Sequence, residues 1–123
     1  MTIKSIFVIG MPSIILFTFL LAGLILYLFP PKKINRFYGY RTPRSMKNQA
    51  NWDYAQKIGG KYMMLFGVVI FITQTSFGFL LSYLGIKQDL TIPFQLGIMI
   101  LLLILMLVIS ERKLKQFEYG LPA

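Results

Sequence analysis

Between residues 35 and 55 the chain reads Asn35-Arg36-Phe37-Tyr38-Gly39-Tyr40-Arg41-Thr42-Pro43-Arg44-Ser45-Met46-Lys47-Asn48-Gln49-Ala50-Asn51-Trp52-Asp53-Tyr54-Ala55, far richer in specific residue types than a linker needs. Arg41, Arg44 and Lys47 can pair with lipid phosphate or bind a partner or ligand. Gly39, between two tyrosines, permits a tight turn. Asn48 can cap backbone N–H groups or bond Arg41 across that turn. Trp52, Tyr54 and Tyr62 suit a membrane–water interface. None of this resembles a catalytic constellation. Histidine and cysteine are both absent, which removes the commonest general base, the thiolate nucleophile and the two commonest transition-metal ligands. Four scattered carboxylates are left, Asp53, Asp89, Glu111 and Glu118. The expectation is a protein that is not an enzyme and carries no metal or cofactor.

The elements that must position this stretch follow from composition. Of 123 residues, 56% are hydrophobic and 14% charged, with a mean hydropathy of +0.66, whereas soluble domains carry about 25% charged residues. Residues 5–31, 62–86 and 90–110 contain no charge at all. A hydrocarbon core of about 30 Å takes roughly 20 helical residues, and lipid admits only helices or closed barrels because backbone polar groups must be satisfied internally. The chain therefore predicts an all-α membrane protein of one domain over 1–123, with three transmembrane helices at about 6–30, 62–86 and 90–110. A basic cytoplasmic loop, 31–61, follows the first span.

The first span stops at Phe29-Pro30-Pro31-Lys32-Lys33, where two prolines break the helix and two lysines mark the interface. Pro12 either opens this helix or kinks a longer one. Its apolar stretch exceeds a usual signal core, no small-x-small site ends it, and the dense positive charge follows it, so it is expected to stay as an anchor. In the loop, Thr42-Pro43 or Ser45 with Asn48 can start a helix. Trp52, Ala55, Gly59 and Tyr62 keep helical spacing, which predicts a short interfacial helix leading into the second span, with Gly59-Gly60 as the bend and Trp52 facing the membrane or the bundle.

Lys4 precedes the first span, eight Lys and Arg lie between the first and second, a hairpin of Lys87-Gln88-Asp89 joins the second and third, and Arg112, Lys113 and Lys115 follow. The excess of Lys and Arg on cytoplasmic loops places the N-terminus outside and the C-terminus in the cytoplasm, with eleven basic residues inside and two outside. The net charge of +9 is thus read as an orientation signal, with anionic headgroups as its counterpart rather than nucleic acid.

Within the second span Thr75, Gly78, Ser82 and Gly85 recur at three, four and three residues and form one stripe of small side chains beside Gln74. Such stripes let helices approach, so the stripe is expected to pack against a helix of this chain or of a second copy in a homo-oligomer. Gln74, near mid-span, is expected to make an interhelical hydrogen bond. The lack of intramembrane charge argues against a proton relay or an ion-coupled transporter.

Gly39-Tyr40-Arg41-Thr42-Pro43, followed by Ser45, Asn48 and Trp52, resembles the signature of the SdpI family of bacterial membrane proteins, roughly G-[YI]-R-T-P-x-[ST]-x-x-N-x-x-x-W between a first and a second transmembrane helix. Gln49 and Ala50 stand where acidic residues are frequent in that family, and Gln56 where Asn or His is common. The resemblance implies a plasma-membrane protein whose best-known relatives protect the producing cell from a secreted peptide toxin and can sequester a transcriptional repressor. The protective role is the expectation. In it Arg41 is the main polar anchor, Thr42 and Asn48 are its hydrogen-bond partners, and Trp52 is an interfacial wedge. The alternative is signalling, with the basic loop recruiting a soluble regulator.

Overall fold

The computed structural model describes residues 3–120, with side chains described from Met11 onward except at Gln88 and Asp89. Three helices follow in order: α1 (Ile3–Leu28), α2 (Gln49–Tyr83) and α3 (Gln88–Glu118). Each contains a stretch apolar and long enough to cross a membrane, so the chain is a multi-pass, all-helical membrane protein. At a rise of 1.5 Å per residue, α2 is about 52 Å long and α3 about 46 Å, well beyond a hydrocarbon core of about 30 Å. Both therefore stand out of the membrane at the end where the 29–48 loop lies.

Pro12 sits inside α1, so the longer of its two readings holds. The expected separate interfacial helix is not found: its residues form the first turns of α2, which runs unbroken through Gly59 and Gly60. Those glycines serve close approach instead of a bend. A Cβ on Gly59 would meet the Tyr40 ring at 3.2 Å, and one on Gly60 would stand 2.7 Å from the Gly23 carbonyl oxygen of α1. Gly23 returns the relation, its Cβ falling 2.7 Å from the Gly60 carbonyl oxygen, and one turn or two further on a Cβ at Gly67 would meet Phe19 Cβ at 2.7 Å. Without hydrophobic drive between helices in lipid, this backbone-to-backbone fit is what holds α1 on α2.

α2 is the central helix, packed on α1 along one side and α3 along the other, while α1 and α3 barely meet. Toward the 84–87 turn, Gln74 Nε2 donates to the Gln95 carbonyl oxygen at 2.7 Å and Gln95 Nε2 returns a longer bond of 3.4 Å to the Gln74 carbonyl. Gly85, grouped by spacing with the packing stripe, instead ends α2. Its φ is +72°; its N–H donates to Ser82 O (3.1 Å), and the next N–H, of Ile86, donates to Leu81 O (3.1 Å). This paired closure of the last turn calls for glycine. α3 then continues two turns past residue 110, because its polar end is received by the loop rather than by lipid.

Gly23→Ala is expected to force α1 and α2 apart and cost about 1–3 kcal/mol, the usual range for an overpacked contact. Gly97→Ala, where a Cβ meets nothing within 4 Å, should be neutral or stabilising by up to about 1 kcal/mol through helix propensity. Unfolding of both variants in detergent checks the contrast, and equal effects would contradict it.

Candidate functional site

The signature residues fold against one face of α2. Asn48 adopts an extended backbone (φ −156°, ψ 169°) and its Oδ1 accepts from Asn51 N at 2.8 Å, which caps the helix and fixes where it starts. From that start Asn51, Trp52, Ala55, Gln56 and Gly59 share a buried face, and three of them catch the loop. Trp52 Nε1 donates to Pro31 O at 2.6 Å, and Asn51 Nδ2 donates to Arg44 O at 3.1 Å. Gln56 does both jobs for one residue: its Oε1 accepts from Tyr40 N at 2.7 Å and its Nε2 donates to Tyr40 O at 3.1 Å. Gln49, on the flank, donates to Lys32 O at 2.7 Å.

Gly39 precedes this clamp at φ +113°, and a Cβ there would stand 2.5 Å from Gln56 Oε1. Only glycine turns here and lets the amide in. Beyond Tyr40 the chain closes on itself: Ser45 Oγ donates to the carbonyls of Tyr40 and Thr42 (2.9 Å each), accepts from Thr42 N at 2.8 Å, and Ser45 N donates to Thr42 Oγ1 at 3.2 Å. Pro43 opens a single helical turn, closed by Met46 N to Thr42 O at 3.1 Å, that does not run on into α2.

Charge fastens the same loop to α3. Glu111 and Glu118 lie seven residues apart and so share a helix face. Tyr40 Oη donates to Glu111 Oε1 at 3.0 Å, and Arg44 Nε stands 3.6 Å from Glu111 Oε2. Glu118 receives both Arg44 and Lys47. Tyr54 of α2 stacks on Phe117 of α3, ring centroids 4.1 Å apart and planes within 5°. The Lys47 hydrogen bond, with Arg44 adding to it, holds the Glu118 carboxyl below the usual carboxylate range against the opposing effect of burial. Burial, then the Glu111 charge and hydrogen bond, push the Tyr40 phenol above its ordinary value, so it stays a donor.

Arg44 and Lys47, rather than Arg41, are thus the basic residues that tie the loop to α3. Arg41 points outward and its guanidinium donates to Arg36 O, while Thr42 and Asn48 bond Ser45 and Asn51. Trp52 is fully buried instead of wedged into the interface. In the membrane, Gln74, Gly78, Ser82 and Gly85 line a cavity between the helices, and the Thr75 hydroxyl is buried with no hydrogen-bond partner among the described residues. Gln56 and the Glu111–Glu118 pair were not singled out by residue type. Gln56 shares a face with Trp52, four residues before it, and that spacing was a usable signal. The two glutamates reach the loop only because α3 continues past the membrane.

A model described as the SdpI/YfhL protein family matches residues 32–110, the loop together with the second and third spans. A relative from Bacillus subtilis (strain 168), named "Uncharacterized protein YfhL", is 49% identical over 51 residues, covering 42% of this chain and 46% of that protein. The match therefore spans less than half of the relative's length. No solved structure matches the chain.

Gln56→Leu leaves the Tyr40 N–H buried and unpaired, which should cost about 1–3 kcal/mol in detergent unfolding, whereas Arg41→Ala should leave stability unchanged within about 0.5 kcal/mol. The pairing at Glu118 is fully present above the ordinary glutamate value of about 4.3 and is lost as pH falls through the lowered folded value. Protein NMR of residues 112–119 should accordingly show release of the α3 end in acid. Glu118→Gln should show it already at neutral pH, and a signal insensitive to either would contradict the pairing.

Proposed function

Because the chain belongs to the SdpI/YfhL family, we propose that it is a non-enzymatic protective protein of the bacterial plasma membrane, which shields its cell from a secreted, membrane-active peptide. The observation that carries this reading is the family match over residues 32–110, which spans the signature and two of the three transmembrane helices. The geometry supports it from the other side. The polar groups of the signature are bonded to one another, to the backbone, to Gln56 and to the carboxylates of α3, an arrangement that builds a scaffold. What the scaffold presents outward is a set of cations and aromatics at one end of three apolar helices. The excess of basic residues at that end favours placing it in the cytoplasm, with the 84–87 turn facing the peptide's side.

A second reading, recruitment of a soluble regulator, is favoured by one feature. Phe37 is 93% exposed between outward-facing Arg36 and Tyr38, with Arg41 close by. An apolar ring framed by cations at a loop tip suits an acidic, partly apolar protein surface.

Expression of the chain in a sensitive bacterium, challenged with membrane-active peptides from related bacteria, should selectively raise survival against one of them. Gln56→Leu should reduce that survival at equal membrane abundance. If no peptide is resisted, and a regulator is retained by the wild type but lost from Phe37→Ala, the second reading replaces the first. Orientation has its own test, made clean by the absence of cysteine. Lys87→Cys in intact cells should react with a membrane-impermeant maleimide and Arg36→Cys should not; the opposite pattern would invert the topology.

A further inference from the structure

At the end of the bundle away from the loop, the three helices do not close. A cavity of about 420 Å³ runs from the 84–87 turn past the Gln74–Gln95 pair to Met99. It exists for identifiable reasons. α3 is fastened near its far end by Leu114, Glu111 and Glu118, and two turns from its start by Gln95, but its most apolar stretch contributes no buried residue. α1 is fastened at Gly23, also toward the loop end. Between these two splayed helices α2 offers Gly78 and Ser82, too small to fill the gap. Because α1 and α3 barely meet, the opening faces the bilayer.

The lining is graded along its depth. Lys87 and Thr91 lie nearest the turn; the two glutamine amides, bonded to each other's backbone, form part of the wall; Leu96 and Met99 lie farther along α3. From Gln74 to Gly85 is about 16 Å along a helix axis. The volume falls within the range of about 300–1,000 Å³ that holds small ligands. A single extended hydrocarbon chain is narrow enough, and the lysine nearest the turn complements a phosphate.

We propose that this cavity holds one acyl chain of an anionic phospholipid from the leaflet on the 84–87 side, with its phosphate on Lys87. The bound chain fills the space that α1 and α3 leave open and so completes the packing of the bundle in the membrane. The proposal does not depend on the protective reading.

The test is native mass spectrometry of the full chain, extracted in mild detergent from vesicles of phosphatidylglycerol and phosphatidylcholine mixed equally and carrying identical chains. The wild type should retain one phosphatidylglycerol in preference to phosphatidylcholine. Gly78→Leu and Met99→Trp fill the cavity from opposite walls, and each should lower retention on the order of tenfold, a change of about 1.4 kcal/mol. Either suffices if the other fails to fold, as judged by helical content. Lys87→Gln should keep a lipid but lose the headgroup preference. Equal retention by the filled variants, no preference in the wild type, or displacement of the lipid by an added apolar helical peptide would each overturn the proposal.

Discussion

One residue, Tyr40, ties the loop to both α2 and α3, and it can do so only because Gln56 meets both of its backbone polar groups. A buried N–H or C=O without a partner costs about 1–3 kcal/mol, so the loop can enter the bundle only where a side-chain amide matches it. Once Tyr40 is fixed, the rest is constrained. Gly39 must turn with positive φ beneath the amide, the tyrosine ring must lie on Gly59, and the phenol must reach Glu111 of α3. Ser45 then accepts the returning chain and brings Arg44 over the Glu111–Glu118 face. Backbone satisfaction comes first, and the ion pairs follow from it.

The two ends of the molecule differ accordingly. At the loop end, outside the hydrocarbon, hydrogen bonds, a stacked ring pair and paired charges bind all three helices. Within the membrane the packing is thinner: glycine contacts join α1 to α2, and one pair of glutamine amides joins α2 to α3. At that end the three helices line an open cavity. A bundle clamped at one end and open at the other has a built-in place for a hydrophobic occupant, and the apolar solvent of the bilayer supplies candidates at high concentration.

Most of the architecture could be read in the sequence because lipid imposes a simple rule, and uncharged runs of sufficient length have few other outcomes. Asn48 as a helix cap and Gln74 as an interhelical donor were legible for the same kind of reason, a polar group in a place that demands a partner. Residue type misled where two positions offered similar chemistry. Arg41 and Arg44 differ only in which way the turn at Thr42-Pro43 points them, and that is decided by Ser45 and Gln56. Trp52 looked like an interface residue because tryptophans usually are, yet the cap at Asn48 sets it on the buried face. Gly59-Gly60 looked like a hinge, but the helix needs them to admit Tyr40 and α1. Gly85 fell into the small-residue stripe by spacing, while its sign of φ makes it a terminator.

The central claim is that the signature forms a buried scaffold instead of an interfacial anchor, and Trp52, the chain's one tryptophan, reports on it directly. Its fluorescence should be measured in bilayers against a water-soluble quencher and against phospholipids brominated near the headgroup. The account predicts weak quenching by both, since the indole is enclosed and hydrogen-bonded to Pro31. Strong quenching by the brominated lipids would put Trp52 in the interface and contradict the account.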